Sequence, residues 1–374
     1  MELSVIQTLA LLIAFLIIGY TIKKKVKFLV NNYIPAPLIG GLLFTIVLAI
    51  VKNFITIKLN FSALPIFVAG FFLSIGLRID FNTFKKNIKL QLLFLITAIC
   101  VALMQNLVSF GIGKIFGKSA YDIVISGSLG LMGDHTLAGI VPEFAKGGKE
   151  AVQSLTSFSI LTLYVGTIAG SLLFKKLKTK VDLSGNLRIP APTFNPMEFL
   201  QHALIFVGGV SVALLPNQFG LGKYINPAGG GFILGLILRW FFDSTKVYEV
   251  KAPNINLLGN YSLSMLLITV FSMFDITMIL KISPYNLLVM IIQLAWLVAL
   301  SYYVVFKLYK KNPLASYVAS GLVGFSFGMP ASTMSNIQCM TENEGALPLV
   351  LFIVPPVGAW LINIFNSSII KLFL

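Results

Sequence analysis

The sequence predicts an all-α polytopic membrane protein made of two inverted repeats of five transmembrane helices, each with a re-entrant, discontinuous helical loop. Three observations predict it: an apolar composition, ten apolar runs of spanning length, and ordered matches between the two halves. Hydrophobic residues make up 57% of the 374 and charged residues only 11%, whereas a soluble domain carries about a quarter charged residues. Lipid cannot satisfy exposed backbone amides, so the spanning segments must close their hydrogen bonds internally.

A helix needs about 20 apolar residues to cross the hydrocarbon core. On that ruler the first half has spans near 3–22, 36–51, 61–79, 89–113 and 153–174. The second half has spans near 198–215, 227–242, 257–280, 285–306 and 346–370. The first run is a helix and not a cleaved signal, because its lysines follow the apolar stretch and no small-residue cleavage site ends it. Two stretches, 120–145 and 314–345, are too apolar for aqueous loops and too rich in glycine for plain spans. These are the expected re-entrant loops.

The net charge of +15 comes from short lysine clusters between apolar runs. Such clusters are topology signals and not a nucleic-acid patch. With both termini outside, 19 of the 28 Lys and Arg residues fall on the inner side, among them Lys23, Lys24, Lys25, Lys175, Lys176 and Lys178. That orientation is therefore expected, in a cell (plasma or inner) membrane. Cys100 and Cys339 show no metal-ligand or disulfide spacing and are expected to be small buried hydrophobes.

The polar stretch 175–196 is the natural boundary between a first repeat, 1–174, and a second, 197–374. Pro37-Leu38-Ile39-Gly40-Gly41 matches Pro227-Ala228-Gly229-Gly230-Gly231 at an offset of 190, as Leu73-Ser74 matches Leu263-Ser264. Gln105 pairs with Gln293, and Gly127-x-x-Gly130 with Gly321-x-x-Gly324, in the same order. Five crossings per half reverse the second half's orientation. Inverted repeats with interrupted segments at matching positions are the sequence mark of secondary transporters.

A helix broken within the membrane exposes amide donors at one tip and carbonyl acceptors at the other, suited to a carboxylate and to Na⁺ respectively. The expected substrate-binding residues are Gly133, Asp134, His135 and Thr136 in the first loop, and Gly328, Met329, Pro330, Ala331, Ser332 and Thr333 in the second. The coupling-ion candidates are the neutral oxygen carriers Ser74, Gln105, Asn106, Ser264, Gln293, Asn336 and Gln338. Asp134 is equally read as an ion ligand or as a cap of the returning helix. Asp275 reads as interfacial, His202 as a packing residue, and Glu342 as an acid at membrane depth. No nucleotide-binding motif, paired acids or nucleophile–base set is present, which argues against an enzyme or a pump driven by nucleotide hydrolysis.

At these residues the chain resembles the glutamate:sodium symporter family. The stretches that carry the resemblance are Ile34-Pro35-Ala36-Pro37, Ser74-Ile75-Gly76-Leu77, Met104-Gln105-Asn106, Leu258-Gly259-Asn260-Tyr261-Ser262, Asn336-Ile337-Gln338 with Thr341-Glu342, and Val354-Pro355-Pro356-Val357-Gly358. The resemblance implies a homodimer with a scaffold and a mobile substrate-carrying part, moving as an elevator. It implies Na⁺-coupled symport of glutamate or a related small amino or carboxylic acid, with no organic cofactor. The departures lie in the tips: Gly133-Asp134-His135-Thr136-Leu137-Ala138 stands where the family has Gly-Gly-His-Gly-Thr-Gly, and Gly328-Met329-Pro330-Ala331-Ser332 where it has Gly-x-Thr-Pro-Thr. The alternatives are a proton-coupled carrier that uses Asp134-His135, and a channel or non-transporting membrane sensor.

Overall fold

Helices begin where the sequence supplies caps and prolines. A computed structural model of the chain describes residues 2–132, 148–186, 195–222 and 224–374. Ser4 and Gln7 form a reciprocal capping box at the start of α1, Val5–Lys25. Its buried residues Thr8, Leu12, Leu16, Gly19 and Lys23 recur every three or four positions, so one stripe faces protein and the rest faces outward. Proline at the first turns opens α2 (Ala36–Val51) and α3 (Leu64–Leu77). Asp80 caps α4 (Phe81–Ile115) by accepting from the Thr83 amide.

Two short helices follow, α5 (Ala120–Ile125) and α6 (Ser128–Leu131), and then the long α7 (Gly148–Lys178). The second half comprises α8 (Pro196–Ala213), α9 (Pro227–Thr245), α10 (Ala252–Ser272), α11 (Pro284–Leu300), α12 (Pro313–Ser326), α13 (Met329–Glu344), α14 (Pro348–Pro356) and α15 (Ile362–Lys371). A π-helical stretch, Ser301–Val305, extends α11, and another, Val357–Leu361, joins α14 to α15.

Seven helices among the described residues are long and apolar enough to cross a membrane. The chain is a multi-pass membrane protein. The other three expected spans are also helices: α2 and α3 have only 16 and 14 residues, and α9 carries Arg239 and Asp243. The span expected to run to 280 ends at Ser272, because Asp275 caps a separate 3₁₀ turn, Ile276–Lys281. Asp275 also pairs with Lys52 at 2.7 Å. Cys339 is buried as expected, but Cys100 is exposed on α4, on the same outer face as Ile96 and Met104.

Packing sorts the helices into two groups. α1, α2, α3, α8, α9 and α10 pack on one another, with α3 against both α9 and α10. The second group forms around α12, which is buried from Ala315 to Ser326 and flanked by α7, α13 and α14, with α4 packed against α14 and α15. Glycines let the first group close tightly. A Cβ on Gly40 would press on the Phe15 carbonyl of α1, and one on Gly230 on the Ala213 carbonyl of α8.

Candidate functional site

Both halves contain a helix break, and both breaks lie in the second group. The first separates α5 from α6 at Ser126–Gly127. Asn106 of α4 clamps it. Its Nδ2 donates to Ser128 Oγ at 2.7 Å, while its Oδ1 accepts from the Ser128 amide at 3.3 Å. Ser109 donates to the Ile123 carbonyl at 2.6 Å, and Ser128 Oγ donates to Asn366 of α15 at 2.6 Å.

The second break lies at Phe327–Gly328, where α12 ends and α13 begins. Ser332 Oγ returns to the Gly328 carbonyl and also donates to the Leu163 carbonyl at 2.9 Å, while accepting from Thr167 of α7 at 2.8 Å. Thr333 ties α13 back to the Gly321 carbonyl. Asn336 accepts from Ser171 at 3.0 Å and sits against Gly170 and Gly324, where a Cβ would collide with its amide.

Two glutamines and one helix bring the breaks together. Gln293 Nε2 donates to the Gln105 carbonyl at 2.8 Å and to the Ser126 carbonyl, at the first break, at 3.4 Å. The Gln105 side chain donates to the Ser326 carbonyl, at the second break, at 2.6 Å. On α7, Thr162 and Ser159 hold the Gly130 carbonyl at 3.1 and 3.3 Å, and Gly166, one turn after Thr162, lies against the Phe327–Gly328 backbone.

Some of the remaining buried polar capacity lies beside this junction. Gln105 Oε1, Ser326 Oγ, Ser335 Oγ and Asn336 Nδ2 are buried without a hydrogen-bond partner among the described residues. Buried polar atoms are rarely left unpaired in a protein interior. Here Gln105 Oε1 and Ser326 Oγ belong to two residues already in contact. Ser326 is also the last residue of α12, where carbonyls carry the negative end of the helix dipole. Neutral oxygens at a helix C-terminal end are suited to Na⁺.

The structure does not bring every candidate together. Gln105, Gln293, Asn106, Gly328, Ser332, Thr333 and Asn336 converge on the two breaks. Pro330 and Ala331 lie in the first turn of α13, which Met329 opens. Ser74 sits instead in the first group, bonded to the Phe71 carbonyl and to Arg78. Ser264 and Gln338 meet each other at 3.2 Å across the seam between the groups. Gly133, Asp134, His135 and Thr136 lie outside the described residues. His202 is buried and satisfied, with Nδ1 2.8 Å from the Glu198 carbonyl and Nε2 accepting from the Lys251 amide at 3.0 Å.

Sequence reasoning missed Ser326, Thr162 and Ser159, which carry no signal beyond being small hydroxyls in apolar helices. It also missed the cluster at the far end of α13. There Tyr33 and Lys178 both bond Glu344, the lysine at 2.8 Å.

The profile of the family described as "Sodium/glutamate symporter" matches residues 1–187 and 203–346. The sodium/glutamate symporter of Escherichia coli (strain K12) is 25% identical over 394 positions, covering 99% of this chain and 98% of the relative. The one from Haemophilus influenzae is 24% identical, covering 98% and 96%. The profile takes in both helix breaks and every residue that joins them except Asn366, and on that extent of agreement the chain belongs to the sodium/glutamate symporter family.

Proposed function

We propose that this protein is a secondary active carrier that couples Na⁺ entry to uptake of glutamate or a closely related small acid. The observation that carries the reading is the junction of the two helix breaks through Gln105, Gln293 and α7, beside which two oxygens have no partner among the described residues. Carbonyls at the end of α12 and the oxygens of Gln105 and Ser326 suit Na⁺. The first amides of α13 suit a carboxylate.

Energetics require a driving ion for an anionic substrate. Importing one negative charge against 100 mV, inside negative, costs about 2.3 kcal/mol, and tenfold accumulation adds about 1.4 kcal/mol. Two Na⁺ entering down the same potential release about 4.6 kcal/mol and exceed that sum.

The finer reading is an elevator built from inverted repeats. In it, α1–α3 and α8–α10 form a scaffold, and the second group moves with both breaks. What supports the repeats is that Gly40 and Gly230, 190 positions apart, serve equivalent crossings, α1 on α2 and α8 on α9. The lysine distribution favours both termini outside, and the family resemblance favours a homodimer.

The test is uptake of labelled glutamate into proteoliposomes under imposed Na⁺ or proton gradients. Uptake that needs inward Na⁺ is the expected result. Uptake indifferent to Na⁺ and driven by protons would replace this reading with the Asp134-His135 one, and Asp134→Asn should then abolish it.

A further inference from the structure

A second charged feature lies away from the breaks, where α1 ends. A cavity of about 340 Å³ there is lined by Tyr20, Thr21, Lys23, Lys24, Val30 and Glu342. It straddles the two helix groups, since Glu342 belongs to α13 and the other residues to α1 and the short helix Lys27–Asn31 after it. Lys23 is buried to 8% side-chain exposure, yet among the described residues its ammonium finds only the Cys339 thiol at 3.1 Å and Glu342 at a long 3.4 Å. Glu342 is better served by Tyr20, which donates to it at 2.7 Å. Lys24, Lys25 and Lys27 are exposed, with no ion pair among the described residues.

The setting is that of a membrane interface. The apolar stretch of α1 ends at Ile22 and four lysines follow within five positions. Ile17 lies one turn below Thr21 on the same face and is 60% exposed, and Phe28 just beyond the lysines is 69% exposed. Basic pockets at the end of a transmembrane helix, with apolar surface leading into them, match a phosphate headgroup whose acyl chains remain in lipid.

We propose that this groove binds the headgroup of an anionic phospholipid, with its phosphate on Lys23 and Lys24. Two lysines against one carboxylate leave the groove net positive, so an anionic headgroup is favoured over a zwitterionic one. A bound lipid would touch α1 and α13 at once and strengthen the seam between the two groups. The inference is independent of what the protein transports, because its test reads binding.

The experiment is titration of the purified full-length protein in detergent with fluorescent phosphatidylglycerol, and with phosphatidylcholine for comparison. Phosphatidylglycerol is expected to bind more tightly. K24Q, at an exposed position, should weaken it about fivefold, the worth of one lysine near a charged surface. K23Q should weaken it likewise, and E342Q, which removes the opposing charge, should tighten it. K85Q, an exposed lysine at the start of α4, should change nothing. A merely structural groove would lose affinity with E342Q as well, and thermal melting shows whether K23Q is folded. Should it unfold, K24Q and E342Q carry the test. Unchanged binding in K24Q, or equal loss in K85Q, overturns the site. Displacement of the lipid by inorganic phosphate alone overturns the lipid as occupant.

Discussion

Gly166→Ala is the sharpest probe of the junction between the breaks. Its added Cβ would lie 2.6 Å from the Phe327 carbonyl carbon and 2.9 Å from the Gly328 nitrogen, closer still to the Phe327 oxygen, where ordinary contact begins at 3.4 Å. All three neighbours are backbone, so no rotamer change relieves the clash. The break must withdraw by about 1.1 Å to bring that oxygen to ordinary contact, which costs about 1–3 kcal/mol of overpacking. Such a shift stretches the 2.6 Å bond from Gln105 to Ser326 out of hydrogen-bond range and separates the two free oxygens. The expected result in proteoliposomes is a rise of about tenfold in the Na⁺ concentration for half-maximal glutamate uptake, equivalent to about 1.4 kcal/mol. Gly111→Ala is the control, since its Cβ would point into open space in α4 and only adds helix propensity, about 0.5–1 kcal/mol. A well-folded G166A protein with unchanged Na⁺ dependence would remove the second break from the site, and equal losses in both variants would show a nonspecific effect.

Two further expectations concern stability. Glu344→Gln removes the only carboxylate on Lys178 and Tyr33 among the described residues, at a place where lysine and acid are 33% and 22% exposed; partial solvent screening keeps the loss to about 1–2 kcal/mol, read as a lower melting temperature in detergent. Asp275 has its carboxyl held below the usual range, first by the hydrogen bond from Lys52 and then by Thr277. A depressed carboxyl contributes stability above its unfolded value near pH 4 and loses it as pH falls through the folded value. Because both partners are largely exposed, Asp275→Asn should cost only about 0.3 kcal/mol at neutral pH and nothing at about pH 2; a larger loss at low pH would contradict the assignment.

Much of the fold was legible in the sequence because lipid enforces length and periodicity. The helices and the break at Gly328 follow from apolar runs interrupted by glycine and proline, whereas the first loop's expected tip, Gly133 to Thr136, lies outside the described residues. What escaped was partnership. Gln105 and Gln293 stood out as amides in apolar helices, but nothing in their spacing says that Gln293 spends both ends of its amide, one on the Gln105 and Ser126 carbonyls and the other on Trp296, while Gln105 keeps an oxygen free. Ser74 looked equivalent to Ser264 by repeat position. Yet Ser74 serves Arg78 inside the first group, whereas Ser264 reaches across to Gln338. Cys100 was misread because an apolar run does not reveal which face of α4 points outward.

Spent and unspent hydrogen bonds therefore separate the residues that build the site from those that serve it, and Asn106 and Ser326 test that separation side by side. Asn106 uses both ends of its amide on Ser128 and the Ala102 carbonyl. Replacing it with alanine leaves the buried Ser128 amide unsatisfied and should cost about 1–3 kcal/mol of stability. Ser326 Oγ has no partner among the described residues, so Ser326→Ala removes an uncompensated hydroxyl and should leave stability unchanged or raise it by about 1 kcal/mol. If that hydroxyl is a Na⁺ ligand, the same substitution weakens Na⁺ dependence of uptake in a protein that melts no lower. Loss of stability in S326A with unaltered Na⁺ affinity would show that the hydroxyl is structural, and that the cation site lies elsewhere along α12 and α13.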